Sequence, residues 1–261
     1  MTAALFDEPA PSRLTFSPGN HSYWLRDPAT GKKERLPSVT TLLGQLDKPA
    51  LKRWASGVAA DYATDNWDEL TAMRPSERRA AISGAPWASR DRAAASGTAI
   101  HAMAEQLLAG QPVEVPEEIS AKVEAVARFL ERASLIKVAA ECMVWSAPDD
   151  ELGLCGFAGT FDLLAEHPSR GRMLLDWKTG KGVYGEYAVQ LAAYRSADWL
   201  VYGGVDVAMP VVDSMAVAHV TPGGVDLHMV APDQVPAAVE RFALLRALRA
   251  IPEPELRMEL A

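Results

Sequence analysis

The sequence predicts an α/β fold with a central mixed β-sheet flanked by helices, preceded by a mainly helical N-terminal extension. Three observations predict it. Apolar residues recur at helical spacing on either side of three strand-like runs, at about 137–146, 153–165 and 172–178. A hairpin pattern, Ser214–Val220 and Val225–Val230 about the turn Thr221-Pro222-Gly223-Gly224, follows that block. A hydrophobic content of 49% over 261 residues is enough to bury a sizeable core.

Taken in order, residues 1–20 are rich in Pro and Ser and read as a loose leader. His21–Leu25, a turn near Asp27-Pro28-Ala29-Thr30-Gly31, and Glu34-Arg35-Leu36 suggest a small hairpin. Ser38 or Thr40 is placed to cap a helix starting near Thr41, and a second helix is expected from about Ala50 to Tyr62. Residues 63–88 are helical in parts, with Pro75-Ser76-Glu77-Arg78 shaped like a helix N-terminus. Arg90 to Leu108 follows a helical pattern ended by Gly110 and Pro112, and 117–134 another, with Val123, Val126, Ala127 and Leu130 at helical spacing. After the three strands a helix is expected over 185–201, stopped by Gly203-Gly204, and a last helix from Pro236 to Ala250. The expected organisation is an N-terminal extension over 1–88, a core over 89–250 and a polar C-terminal tail over 251–261.

No stretch is long and apolar enough to span a membrane. The start, Met1 to Glu8, lacks a basic region and an apolar signal core, so a cytoplasmic protein is expected. Cys142 and Cys155 form neither a disulfide framework nor a zinc-site spacing, and read as buried thiols in strands. The net charge of −8 argues against a generic nucleic-acid coat protein. Basic residues are instead local: Arg90 and Arg92 with Lys178 and Lys181, and separately Lys48, Lys52 and Arg53, each group also readable as solvated surface charge.

The chemistry concentrates in Asp176-Trp177-Lys178. Strand side chains alternate, so Asp176 and Lys178 share a face with Trp177 opposed. Asp162 ends the strand-like run Gly156–Asp162, 14 residues before Asp176. If these strands pair, two carboxylates and one lysine converge. Aspartate is disfavoured within strands, and a carboxylate with apolar flanks needs a partner. Two carboxylates make a hard-oxygen site suited to Mg²⁺ or Mn²⁺, and an adjacent ammonium stabilises a charged phosphorane-like transition state or a water-derived nucleophile. Lys178 serves either that role or a salt bridge to Asp176.

Other candidates are weighed similarly. His101 lies on a helix with Glu105 one turn on, which reads as a solvated charge. Glu141 stands in an apolar strand, either at an exposed edge, or as a ligand through water, or as a partner for Lys178. Gln190 and Tyr194 share a helix face, as a surface pair or as site residues. Tyr184 and Tyr187 either stack on unpaired bases or pack internally. Ser38 and Thr40 touch phosphate or cap a helix.

Four segments in order, Gly97-Thr98-Ala99-Ile100-His101, Gly159-Thr160-Phe161-Asp162, Asp176-Trp177-Lys178-Thr179-Gly180 and Gln190-Leu191-Ala192-Ala193-Tyr194, resemble the PD-(D/E)XK nuclease superfamily in its RecB-like exonuclease branch. Upstream, Leu36–Leu43 and Lys52-Arg53-Trp54-Ala55 look like the leader of phage-encoded members. The resemblance implies a restriction-endonuclease-like core and a metal-dependent deoxyribonuclease. It implies metal binding by His101, Asp162, Asp176 and the Trp177 carbonyl, with the indole packed on the opposite face. A His101 ligand favours Mn²⁺ over Mg²⁺. It further implies catalytic roles for Asp162, Asp176, Lys178, Glu141, Gln190 and Tyr194, the last two contacting phosphate or positioning the lysine. The branch is related to the CRISPR-adaptation exonucleases, whose iron–sulfur clusters need four thiolates. Two cysteines cannot supply them within one chain, so no iron–sulfur cluster is expected. The implied activity is DNA exonuclease, in recombination, end processing or phage DNA metabolism. Implied partners are single- or double-stranded DNA and a recombinase or annealing protein, with no membrane. A structure-selective endonuclease and a non-cutting DNA-binding accessory module are the alternatives. Oligomeric state and cleavage polarity stay open.

Overall fold

The structure is a computed structural model and describes residues 10–252. Residues 1–9 of the expected leader and 253–261 of the expected tail lie outside the described residues. A seven-stranded mixed sheet flanked by helices dominates the chain. Its strands are β4 (Ile136–Ser146), β5 (Phe157–His167), β6 (Gly171–Lys178), β7 (Trp199–Tyr202), β8 (Val205–Ala208), β9 (Ser214–Thr221) and β10 (Gly224–Met229). They lie in the order β10-β9-β6-β5-β4-β7-β8. β4, β5 and β6 form an antiparallel meander, and β9 runs parallel to β6.

Each face of the sheet is covered. On β6, Met173, Leu175 and Trp177 join Ile100 and Ala104 of helix α4 (Pro75–Leu108) and Val123 and Val126 of helix α5 (Ser120–Ala133). Leu174 lies on the other face, with Val189, Leu191 and Ala192 of helix α6 (Glu186–Arg195) and Phe242 of helix α7 (Val235–Ala250). Strand alternation therefore sends Asp176 and Lys178 to the α6 side.

The N-terminal region departs from expectation at its start. Leu14–Ser17, within the expected loose leader, forms strand β1, which pairs with β2 (Ser22–Arg26), itself paired with β3 (Lys33–Leu36). Leu14 is apolar enough to be drawn under the small sheet, where it packs with Tyr23, Leu25, Leu36 and Trp145. Asp206 on β8 fastens the segment by accepting from Ser12 Oγ (2.6 Å) and Arg13 N (2.9 Å), and it also accepts from Trp145 Nε1 (3.0 Å). Ser38 caps helix α1 (Val39–Leu43), its hydroxyl accepting from Thr41 N at 3.0 Å.

Helices α2 (Pro49–Asp65) and α3 (Trp67–Ala72) follow, and α2 lies against α4. The helix expected from Arg90 begins at Pro75 instead, so the boundary expected after residue 88 falls inside one unbroken 34-residue helix. Pro75 suits a first turn, and the Glu77 carboxylate accepts the Arg74 N–H at 3.2 Å. Pro86 is tolerated inside α4 although it leaves the Ile82 carbonyl without its usual intrahelical donor.

A helix over 185–201 is corrected. α6 ends at Arg195, and β7 and β8 form a hairpin at the sheet edge. Trp199-Leu200-Val201-Tyr202 is aromatic and β-branched, which favours a pleated surface. Gly203 and Gly204 both have positive φ (59° and 82°), the requirement of a two-residue primed turn rather than a helix stop. β5 begins at Phe157, so Cys155 precedes it, and both cysteines are half-buried and unpaired. No helix among the described residues is long and apolar enough to cross a membrane.

Candidate active site

The site forms where two strands part. β5 and β6 pair from His167↔Gly171 up to Leu163↔Leu175 and no further. Beyond that point the Trp177 N–H, which has no partner on the β5 backbone, donates to Asp162 Oδ2 at 2.7 Å. The other oxygen, Asp162 Oδ1, lies 3.4 Å from His101 Nδ1 on α4. α4 reaches this point because it passes close to the loop after Lys178: a Cβ at Gly97 would stand 3.3 Å from Thr179 Oγ1. Lys122 Nζ of α5 donates to the Thr179 carbonyl at 2.9 Å and steadies the same loop.

Glu141 on β4 completes a cluster. It falls between the pairs Ala140↔Leu163 and Cys142↔Phe161, opposite Asp162. One ligating atom each from His101, Glu141 and Asp162 lies within 4.8 Å of the other two. Glu141 also has φ of 48°, a left-handed conformation that costs a residue with a Cβ about 1–2 kcal/mol. Strain of this kind persists where surrounding structure enforces it, commonly at functional sites.

Asp176 is 2% exposed, and its Oδ2 is in tight ionic contact with Lys178 Nζ. Among the described residues no donor other than Lys178 reaches Asp176 Oδ2. A carboxylate oxygen with a single partner keeps a lone pair for a further cation or donor. The Lys178 ammonium also sits 4.8 Å from the centre of the Tyr187 ring. Gln190 Nε2 donates to Tyr194 Oη at 3.0 Å. The Trp177 indole packs away from the site, edge-on to Phe129 with centroids 5.8 Å apart.

Charge crowding is visible in the titration behaviour. Burial, then the charge of Asp162, raises the Asp176 carboxyl well above the ordinary range despite Lys178. Glu141 meets solvent at the rim, yet the protein packed around its carboxyl, and next the charge of Asp162, push it up to about 7. Burial alone would lower His101, but the hydrogen bond and charge of Asp162, helped by Asp176, raise it. Burial raises the Tyr194 phenol, and the charges of Asp176 and Asp162 act on it in the same direction.

His101, Glu141 and Asp162 are thus brought together, and Asp176 pairs with Lys178 beside them. Gln190 and Tyr194 bond to each other. Tyr184 and Tyr187 pack edge to face at 5.7 Å, with Tyr184 exposed. Ser38 is engaged in capping and in bonds to Thr40 and Thr41. Of the basic groups, Lys48 is paired with Glu186 at 3.1 Å and Lys52 with Asp47, while Arg90 pairs with Asp91 and lies over the Trp87 ring.

Sequence reasoning passed over Tyr23 and Thr160. Tyr23 Oη and Thr160 Oγ1 are 2.9 Å apart, and the Glu141 charge acts on the Tyr23 phenol. Thr160 was discoverable, standing two residues before Asp162 on one strand face. Compared with protein-family models and with curated proteins, the sequence matches none.

Proposed function

We propose that the chain is a divalent-metal-dependent DNA exonuclease on a restriction-endonuclease-like core of the RecB type. The order of helix, three-stranded meander, helix and parallel strand supports the core assignment. One observation carries the activity: His101, Glu141 and Asp162 gather within 4.8 Å beside a buried Asp176–Lys178 pair. Exonuclease action, DNA as substrate and a recombinase or annealing partner rest on the resemblance of the four motifs.

The residues fit a divalent cation. Three carboxylates crowd one imidazole, two of them with raised pKa, and Asp176 Oδ2 has no donor besides Lys178 among the described residues. Held by His101, Asp162, Asp176 and the Trp177 carbonyl, with Glu141 at the rim, Mg²⁺ or Mn²⁺ would supply a Lewis acid for a phosphodiester oxygen. Lys178 offsets negative charge building on the phosphoryl oxygens, its ammonium aimed by Asp176 and the Tyr187 ring. Tyr194 accepts from the Gln190 amide and holds it in place, suited to orient phosphate or Lys178. Water attacks phosphorus in line, its oxygen forms a P–O bond as the P–O bond to the sugar breaks, and the departing sugar oxygen takes a proton from solvent. Glu141, whose carboxyl titrates near neutrality, is suited to accept the proton of that water.

The test uses end-labelled linear DNA, single- and double-stranded, and covalently closed circles, with Mg²⁺ or Mn²⁺. Linear DNA is degraded from its ends and circles survive. Asp176→Ala and Lys178→Ala each slow hydrolysis by at least about 100-fold. Equal cutting by Asp176→Ala and the parent chain refutes the site, and cutting of circles replaces exonuclease with endonuclease.

A further inference from the structure

A second group of ligating side chains lies on the last hairpin, outside the site described above. Asp226 on β10 is the direct cross-strand partner of His219 on β9, and His228 is two residues further along β10. Directly paired residues share a sheet face, as do residues two apart on a strand, so all three project from one side. One ligating atom from each lies within 4.8 Å of the other two. The imidazole ring centroids are 6.0 Å apart.

A second observation concerns the tautomer. His219 Nε2 lies 2.8 Å from the Gly180 carbonyl oxygen. A carbonyl can only accept, so Nε2 carries the proton and Nδ1 keeps the lone pair. Metal-binding histidines have this arrangement: one ring nitrogen ligates while the other donates to a backbone carbonyl or carboxylate, fixing the ring. Gly180 belongs to the loop that follows Lys178, and Lys178 is the parallel-strand partner of His219.

We propose that His219, Asp226 and His228 form a second cation site, selective for a borderline transition metal of the Zn²⁺ or Ni²⁺ class. Two imidazoles and one carboxylate suit such ions better than Mg²⁺, which prefers an all-oxygen shell. Zn²⁺ on three protein ligands keeps a fourth position for water. The ion ties edge strand β10 to β9. Through the His219–Gly180 hydrogen bond it also steadies the loop leaving Lys178. The site is independent of the hard-ion centre, since the two groups share no ligand.

In the 261-residue chain carrying His101→Ala, stripped with EDTA, the first centre has lost its imidazole and keeps only oxygen ligands, which Zn²⁺ favours less than the two imidazoles here. Titration with Zn²⁺ against a chromophoric chelator is expected to show one equivalent bound, and Co²⁺ to give visible ligand-field bands. Adding His228→Ala or Asp226→Asn, both at exposed positions, lowers the affinity by more than about tenfold and abolishes the bands. Circular dichroism without metal checks that each variant is folded. Absence of stoichiometric Zn²⁺ uptake by the His101→Ala chain overturns the proposal, as does uptake that both added substitutions leave unchanged. Either result leaves the nuclease reading untouched, because that reading does not use these residues.

Discussion

Glu141 concentrates the tension of the site in one residue. Its backbone is left-handed, its carboxyl faces Asp162, and its pKa is pushed up to about 7. The charged form is therefore disfavoured in the folded, metal-free protein. Glu141→Gln removes the charge and keeps the shape. It is expected to raise the metal-free Tm at pH 8 and to lower nuclease activity by about 10- to 100-fold, measured by thermal melts and end-labelled DNA. A lower Tm would show that Glu141 is held by attraction. At this scale the sequence was legible where spacing alone decides: Asp176 and Lys178 share a face because strands alternate. The bond from Trp177 N–H to Asp162 was not legible, because it depends on where β5 and β6 stop pairing. Tyr23 was missed because 137 residues separate it from Thr160, and no local pattern joins them.

Elements meet at the site with little spare room. A Cβ at Gly159 of β5 would stand 2.6 Å from Tyr194 Cε1 on α6 and 3.1 Å from Val39 Cγ2 on α1. Gly159 thus lets the Tyr194 ring of α6 lie directly against β5. Gly159→Ala is expected to cost about 1–3 kcal/mol in urea unfolding, through overpacking, and to reduce activity by displacing Tyr194. Unchanged stability would mean that α6 can shift without cost. The strands of the meander were readable because each is long and apolar with turn residues between. The β7–β8 hairpin was not, because four apolar residues, Trp199 to Tyr202, fit a helix end as well as a strand. Only the paired positive φ of Gly203 and Gly204, and the stacking of Trp199 on Trp145 at 6.0 Å, resolve it.

For the molecule as a whole, the site makes stability depend on pH. Glu141 and Asp176 titrate above their ordinary values, so the folded protein binds their protons more tightly than the unfolded chain does. His101 is also raised, so its contribution is present below the unfolded pKa of 6.5 and lost as pH climbs through the folded value. All three push the same way. For Glu141 the loss runs from pH 4.5 to about pH 7. The metal-free Tm is therefore expected to fall across that window. Saturating Mn²⁺ is expected to flatten or reverse the fall, because ligands must lose protons to bind and the ion cancels their repulsion. A metal-free Tm that rises across the window contradicts this assignment. Carboxyls with lowered pKa, such as Asp27 and Asp47, lie fully in solvent, where screening leaves them little influence.

The most direct measurement of the central claim is anomalous diffraction from crystals of the chain soaked in Mn²⁺. The account predicts a manganese peak bounded by His101, Asp162 and Asp176, with the Trp177 carbonyl and Glu141 at its margin. Manganese found only elsewhere, with His101 still resting on Asp162 and Lys178 on Asp176, would contradict it.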